Sequence, residues 1–247
     1  MHLLWELLLG YPVGAKIVSN LKENGVLSDV ESERLIAFTN NSGPLFILGS
    51  IGVGLFKDTK TGILLLVTHI LASITVGILF RWWKFKIPEK KYSKKIKAYI
   101  DNTKTSLSIA SVIMNSINTV LLIGGFIVLF SVIISILQSS KILYILSLIL
   151  SPLLKIIHLH ENYSFGIISG IIEITNGINI ISQITTKTIS KNIIITAFLL
   201  GFGGISITMQ VYSIISKTNI SIKPYIIGKL LQGIFAAFYT FFIFKYL

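Results

Sequence analysis

A polar, helix-breaking run interrupts a stretch that is otherwise apolar enough for the interior of a membrane. The run reads Thr39-Asn40-Asn41-Ser42-Gly43-Pro44, with largely apolar residues 35–38 before it and 45–53 after it. In lipid, each unsatisfied backbone group costs several kcal/mol, so irregular backbone persists only where protein buries it or where it lines a cavity. A broken helix of this kind therefore indicates a candidate binding site.

A second interruption lies in the other half of the chain. It reads Gly201-Phe202-Gly203-Gly204, and Gly203 follows Gly43 by 160 residues. Paired interruptions in corresponding halves of a membrane chain are the strongest sequence indication of a transporter-type site. We therefore expect both interruptions to contribute to one site.

The composition favours a membrane protein. The 247 residues are 53% hydrophobic and 13% charged, a balance that ordinary soluble domains do not have. Segments 62–80, 119–137 and 225–244 each approach the roughly 20 apolar residues that a helix needs to cross a bilayer. The sequence thus predicts an all-α polytopic membrane protein.

The positive charge of the chain is concentrated in one loop. The net charge is +12, and residues 84–105 carry many lysines directly after Trp82 and Trp83. Under the positive-inside rule this loop is cytoplasmic, with the two tryptophans at the interface. A patch for phospholipid or nucleic acid is the alternative; we expect no nucleic-acid partner.

The two halves of the chain predict an internal repeat. Gly10 pairs with Gly170 and Gly43 with Gly203 at the constant offset of 160. Each half reads as a re-entrant hairpin, a broken transmembrane helix and a final transmembrane helix. If segment 142–154 is too short to cross, as its length indicates, the repeats are inverted; if it crosses, they are parallel.

These patterns divide the chain into four parts. Residues 1–83 form the first repeat and 84–105 the basic loop. Residues 106–157 hold a connecting transmembrane helix and an interfacial segment. Residues 158–247 form the second repeat.

An acid inside apolar sequence is the most conspicuous single candidate. Glu173 lies among residues 166–177, and a charge at the bilayer centre costs from about 3 to over 10 kcal/mol unless it has water or a partner. Glu173 is then either a ligand for a substrate or coupling ion, or a carboxyl that is protonated or hydrogen-bonded to Thr175 and the hairpin backbone.

The two breaks supply further polar groups. Those of the first break suit a polar neutral ligand or a small ion, whereas hydrogen bonding between helices is the alternative. His69 and Lys229 occupy matching positions in the final spans and either face the site or pack within the bundle. The candidate substrate-binding residues are Asn40, Asn41, Ser42, Gly43, Glu173, Thr175, Asn176, Gly203, Ser206 and Gln210.

Signatures of catalysis are missing from the sequence. It has no phosphate-binding G-x-x-x-x-G-K-[ST], no G-x-S-x-G and no H-E-x-x-H motif, and it has no cysteine. We interpret the short cluster His158-Leu159-His160-Glu161 as polar residues of a solvated loop, with a metal site as the alternative. We expect no enzyme, no resident metal and no cofactor.

Four motifs in order resemble the YlbJ family of sporulation integral membrane proteins, over nearly the whole chain. They are residues 10–16 around Tyr11-Pro12, residues 38–47 around the first break, residues 173–177, and residues 201–206. That family carries the Gate, or nucleoside-recognition, domain, which is similar to parts of concentrative nucleoside transporters and of ferrous iron transporters. Family members have further membrane segments before the Gly-Tyr-Pro motif, so we expect the leading arm of the first repeat to be incomplete.

The resemblance implies a multi-pass protein of the bacterial cytoplasmic membrane in endospore formers, needed for the spore cortex. Our first hypothesis is a transporter-like protein that binds or moves a small polar, nucleoside-like solute, with H⁺ or Na⁺ as the coupling ion. The alternative is a non-transporting membrane scaffold. A metal-ion permease is a third reading, which the lack of cysteine disfavours. Expected partners are the lipid bilayer, the solute, and either a second copy or other sporulation membrane proteins.

Overall fold

The structure is a computed structural model that describes residues 10–84, 109–156, 159–185 and 190–246. Most of the predicted basic loop 84–105, and His158 of the His-Glu cluster, lie outside the described residues. The described chain is helical, and no strand occurs in these ranges. The predicted all-α class is therefore confirmed.

The described residues of the first half form three α-helices and one π-helix. They are α1 (Val13–Glu23), α2 (Asp29–Thr39), the π-helix (Phe46–Leu55) and α3 (Thr59–Phe80). Ser28 caps α2 with a capping box, because its side chain accepts the Glu31 N–H while the Glu31 carboxylate accepts the Ser28 N–H. Between α2 and the π-helix the chain leaves helical geometry at Asn40, as the polar run predicts.

Between the halves, the described residues form two helices. Helix α4 (Ile109–Ser139) is 31 residues long, and α5 (Ile142–Ile156) has 15 residues with Pro152 inside it. At about 1.5 Å per residue, α5 is shorter than a bilayer core. Whether it crosses decides the relative orientation of the halves, which stays a prediction.

The second half follows the same order of elements as the first. Its helices are α6 (Asn162–Ile172), α7 (Ile174–Ser182), α8 (Ser190–Phe202), α9 (Gly204–Ile215) and α10 (Lys223–Ile243). The break between α8 and α9 falls at Gly203, whose φ of 82° is in the left-handed region that favours glycine. Helices α7 to α10 thus correspond in order to α1, α2, the π-helix and α3.

Within the described ranges, four helical segments are long and apolar enough to cross a membrane. They are Thr59–Phe80, Ile109–Ser139, Ser190–Ile215, which includes the second break, and Lys223–Ile243. The three spans predicted from apolar runs fall within or largely overlap these segments. The broken helix of the second half is the additional one.

Small residues bring the helices close together around the centre of the bundle. A Cβ on Gly177 of α7 would lie 2.1 Å from Cα of Gly170 in α6, and one on Gly201 would lie 2.7 Å from Cα of Gly233 in α10. Such close backbone approach is typical of helix packing in membranes, where water does not drive apolar surfaces together. Helix α10 packs against α2, α3 and α8, so it is the central element of the described bundle.

Candidate functional site

The first break lies against the start of α1. Gly10 forms an isolated parallel bridge with Asn41, and a Cβ on Gly43 would lie 3.3 Å from Cα of Gly10. A side chain at either glycine would push the two segments apart. The Gly-Tyr-Pro motif and the polar run are therefore neighbours in space, although their sequences are 30 residues apart.

The second break lies against the turn between α6 and α7. A Cβ on Gly204 would lie 3.0 Å from the carbonyl oxygen of Gly170. Gly10 and Gly170 are matched by the offset of 160, so corresponding glycines contact corresponding breaks. A Cβ on Gly203 would also lie 3.1 Å from the Tyr11 hydroxyl, which shows that the first turn reaches the second break.

A cavity of about 400 Å³ lies where these four segments meet. It is lined by residues from the first break and the π-helix after it, from both turns, from α9 directly after the second break, and from α4, which contributes Ile123 and Ile127. The structure thus brings together a majority of the candidate residues. Those that line the cavity are Ser42, Gly43, Glu173, Thr175, Ser206 and Gln210.

Two polar groups at this cavity have no protein partner among the described residues. The Ser206 hydroxyl and the Gln210 Oε1 are buried, and neither has a hydrogen bond within the described part of the chain. Both residues are at most 3% exposed. Buried polar atoms are nearly always hydrogen-bonded in native structures, so unpartnered groups at one cavity indicate a ligand or water.

Glu173 forms the N-terminal cap of α7. Its Oε1 accepts the Thr175 N–H at 3.0 Å, and its Oε2 accepts the backbone and side-chain N–H groups of Asn176 at 2.8 and 3.0 Å. Both oxygens are thereby engaged within the turn, which is the hydrogen-bonded alternative considered above. Glu173 also lines the cavity, so its role as a solute or ion ligand stays a prediction.

The other candidate residues lie beside the cavity rather than on its wall. Asn40 accepts the Ala15 N–H and donates to the Tyr225 hydroxyl, each at 3.4 Å. Asn176 lines an adjacent cavity of about 250 Å³ between the π-helix and α7. Gly203 contacts Tyr11 as described above.

Asn41 belongs to a buried polar network behind the first break. It donates to the Phe38 carbonyl and the Ser73 hydroxyl, at 2.8 and 3.1 Å. Its Oδ1 accepts from Gln232 at 2.8 Å and from the Lys229 ammonium at 3.3 Å. Asn41 thus ties α10 to the break, which is an interhelical role.

His69 and Lys229, matched by the offset of 160, meet in this network. His69 Nε2 accepts the Ser42 N–H at 3.3 Å and lies 3.5 Å from Gln232 Nε2. Lys229 donates to Gln232 Oε1 at 2.8 Å. The backbone of the cavity residue Ser42 is therefore held by a network that includes a buried lysine.

Sequence reasoning did not select Tyr11, Ser50 or the isoleucines of α4, which also line the cavity. The signal for Tyr11 was its place in the Gly-Tyr-Pro motif, directly before a predicted turn. No comparable signal existed for Ile123 or Ile127, because apolar residues in a spanning helix look alike.

The comparisons with known proteins fit this architecture. The Gate family, described as nucleoside recognition, matches residues 120–221, which include the second turn and the second break. The sporulation integral membrane protein YlbJ of Bacillus subtilis (strain 168) is 34% identical over 252 residues, covering 96% of this chain. The resemblance to the YlbJ family is confirmed. No solved structure matches the chain.

The family and the helices together define the chain as a multi-pass membrane protein in contact with the lipid bilayer. The chain spans 61% of the length of the YlbJ relative. An activity of the full-length relative can therefore be assigned to this chain only as a proposal.

Proposed function

We propose that this chain is a transporter-like sporulation protein of the bacterial cytoplasmic membrane that binds a small polar solute in the central cavity and moves it across the bilayer. The observation that carries the proposal is the pair of unpartnered buried groups of Ser206 and Gln210 at one cavity. The volume of about 400 Å³ lies in the range of small-molecule sites.

The repeated order of elements supports a transporter architecture. In this proposal the two halves are inverted repeats, and the turns at Tyr11 and Glu173 are the tips of re-entrant hairpins. Interrupted helices that meet near the bilayer midplane form the binding sites of many secondary transporters. The proposed sites of both hairpins and both breaks lie together at the cavity.

The backbone around the cavity favours negative charge in the solute. Four helices begin there: α1, the π-helix, α7 and α9. Each helix N-terminus is the positive end of a helix dipole, which attracts anions. We infer that the cavity binds a small anion, such as a carboxylate or a phosphate ester, in preference to a neutral nucleoside.

The side chains that can donate hydrogen bonds agree with this inference, whereas the unpartnered Gln210 Oε1 needs a donor on the solute. The carboxylate of Glu173 is engaged by three N–H groups of α7, so its negative charge offsets the positive dipole end of that helix alone. The Ser206 hydroxyl, in the first turn of α9, can donate a hydrogen bond to an anionic oxygen. The Lys229 ammonium lies 5.2 Å from the centre of the Tyr11 ring, just behind the wall of the cavity.

The test is a thermal-shift screen of the protein in nanodiscs against nucleosides, nucleoside monophosphates and small carboxylates. A ligand at a hundredfold excess over its Kd stabilises the folded state by about 2.7 kcal/mol. We expect a carboxylate or a monophosphate to raise the melting temperature, and Gln210→Leu to reduce that shift. Gln183→Leu is the matched control, because the Gln183 side chain is exposed directly after α7 and donates to Asn179.

Two results would contradict the proposal. A sharp transition that no compound shifts favours the membrane scaffold, in which the breaks serve helix packing and partner docking. A ligand shift that Gln210→Leu leaves unchanged places the binding site elsewhere. A shift produced by neutral nucleosides alone would keep the site but refute the inference of an anion.

A further inference from the structure

The buried Lys229 has no acidic partner among the described residues. It lies in the second turn of α10 and is 1% exposed, and no carboxylate in the described ranges forms an ion pair with it. A lysine inside a membrane-spanning segment is costly, and such residues are usually part of a substrate or ion pathway. The position therefore needs an explanation beyond packing.

Four groups surround the ammonium in the way that proteins surround a free monovalent cation. Two amide oxygens accept from it, Gln232 Oε1 at 2.8 Å and Asn41 Oδ1 at 3.3 Å. Two aromatic faces lie near it, with ring centres 5.2 Å away for Tyr11 and 6.0 Å away for Tyr225. Amide oxygens and aromatic faces both stabilise positive charge.

The neighbouring ionisable groups leave Lys229 as the cation of this cluster. His69 accepts the Ser42 N–H through Nε2, so that nitrogen carries no proton and the ring is neutral in this arrangement. The other ionisable groups that face the ammonium are the phenols of Tyr11 and Tyr225.

The ammonium is one layer of side chains away from the cavity. Tyr11 contacts Lys229 through its ring and also lines the cavity. Asn41, which binds the ammonium, directly precedes the cavity residue Ser42. A charge behind such a thin wall, in surroundings of low dielectric constant, acts strongly on an ion inside the cavity.

We propose that Lys229 is a tethered cation that occupies a monovalent-cation site and balances the charge of the anionic solute. The proposal rests on the proposed function, because it assumes that an anion binds in the cavity. Its consequence is that solute binding needs no Na⁺, since the positive charge is part of the chain. Asn41, Gln232, Tyr11 and Tyr225 are then the ligands of the cation site.

The first experiment tests the cation site without any solute. Lys229→Ala should leave a space that a small cation fills, so methylammonium chloride should raise the melting temperature of this variant in nanodiscs. The wild type should show no such rise, because its own ammonium occupies the site. Lys223→Ala is the matched control, an exposed lysine at the start of the same helix. Equal responses of all three proteins to methylammonium would overturn the proposed site.

The second experiment tests the link to the solute, with the carboxylate or monophosphate probes of the screen above. The wild type should bind such a probe equally in Na⁺ and in choline buffer. Lys229→Met, which keeps the length of the side chain, should melt cooperatively yet bind the probe about tenfold or more weakly. Methylammonium should restore binding in Lys229→Ala.

The outcomes separate the two proposals. If no probe shifts the wild type but methylammonium stabilises Lys229→Ala, the cation site stands and the transport proposal fails. If Lys229→Met binds a probe as tightly as the wild type, or if the wild type requires Na⁺, the tethered cation is refuted while the solute site stands. Should Lys229→Ala fail to fold, the comparison of Lys229→Met with the wild type still decides the question.

Discussion

The replacement of Glu173 by Gln tests how the second hairpin turn is held together. The carboxylate accepts one N–H from Thr175 and two from Asn176. A glutamine presents a single oxygen, so it can keep the two bonds to Asn176 only by turning its NH₂ group towards the Thr175 N–H. One charge-assisted hydrogen bond is lost, and two donors face each other in a buried position.

The expected loss follows from that geometry. A hydrogen bond to a charged group contributes about 1.5–3 kcal/mol. For a chain of this size each kcal/mol shifts the melting temperature by about 2–4 °C, so Glu173→Gln should melt about 3–12 °C lower than the wild type. The assay is thermal unfolding in nanodiscs, followed by tryptophan fluorescence.

Glu161→Gln provides the control for this prediction. Glu161 occupies the same N-cap position on α6 but makes no side-chain cap, and its side chain is 53% exposed next to Lys155. Surface ion pairs contribute little to stability, so this variant should melt like the wild type. Equal melting of Glu173→Gln and the wild type would refute the capping argument. Unchanged ion-coupled uptake in Glu173→Gln would remove its predicted role as a solute or ion ligand.

Two further predictions concern packing and pH. Gly177→Ala should destabilise the protein by about 1–3 kcal/mol, because the new Cβ would overlap the backbone of the facing helix α6. Gly124→Ala is the control and should be neutral or slightly stabilising, because the space around Gly124 is open. Equal melting temperatures of the two variants would contradict this prediction. The hydrogen bond from the Thr61 side chain lowers the pKa of Asp58 below its usual value of 3.8. The Asp58 carboxylate therefore stabilises the folded state at pH values above 3.8. This stabilisation is lost as the pH falls through the lower pKa of Asp58 in the folded state. A melting profile of Asp58→Asn with the same acid dependence as the wild type would contradict the assignment.

Much of the fold could be predicted because long apolar runs and their interruptions act locally. The spanning helices around His69 and Lys229 follow from the length of their apolar segments. The breaks at Asn40 and Gly203 follow from residues that end helices, and the structure places both breaks within a few residues of the predicted positions. Each of these features depends on a short stretch of sequence.

The directions of the side chains at the breaks could not be predicted. An unwound segment has no fixed period, so the sequence does not say which of Asn41 and Ser42 faces the cavity. In the structure Ser42 lines it, while Asn41 turns towards Gln232 and Lys229. The π-helix that follows adds to the difficulty, because its wider turn rotates residues away from the positions expected in an α-helix.

The matched positions of His69 and Lys229 have a consequence for how such a chain could arise. Both residues contact Gln232, so they lie close to each other at the junction of the two halves. In an assembly of two identical half-length chains, both positions would carry the same residue, and two lysines there would repel each other. Joining the halves in one polypeptide removes that restriction. In the predicted repeat, one of the two matched positions can then keep a charge while the other becomes a neutral hydrogen-bond acceptor.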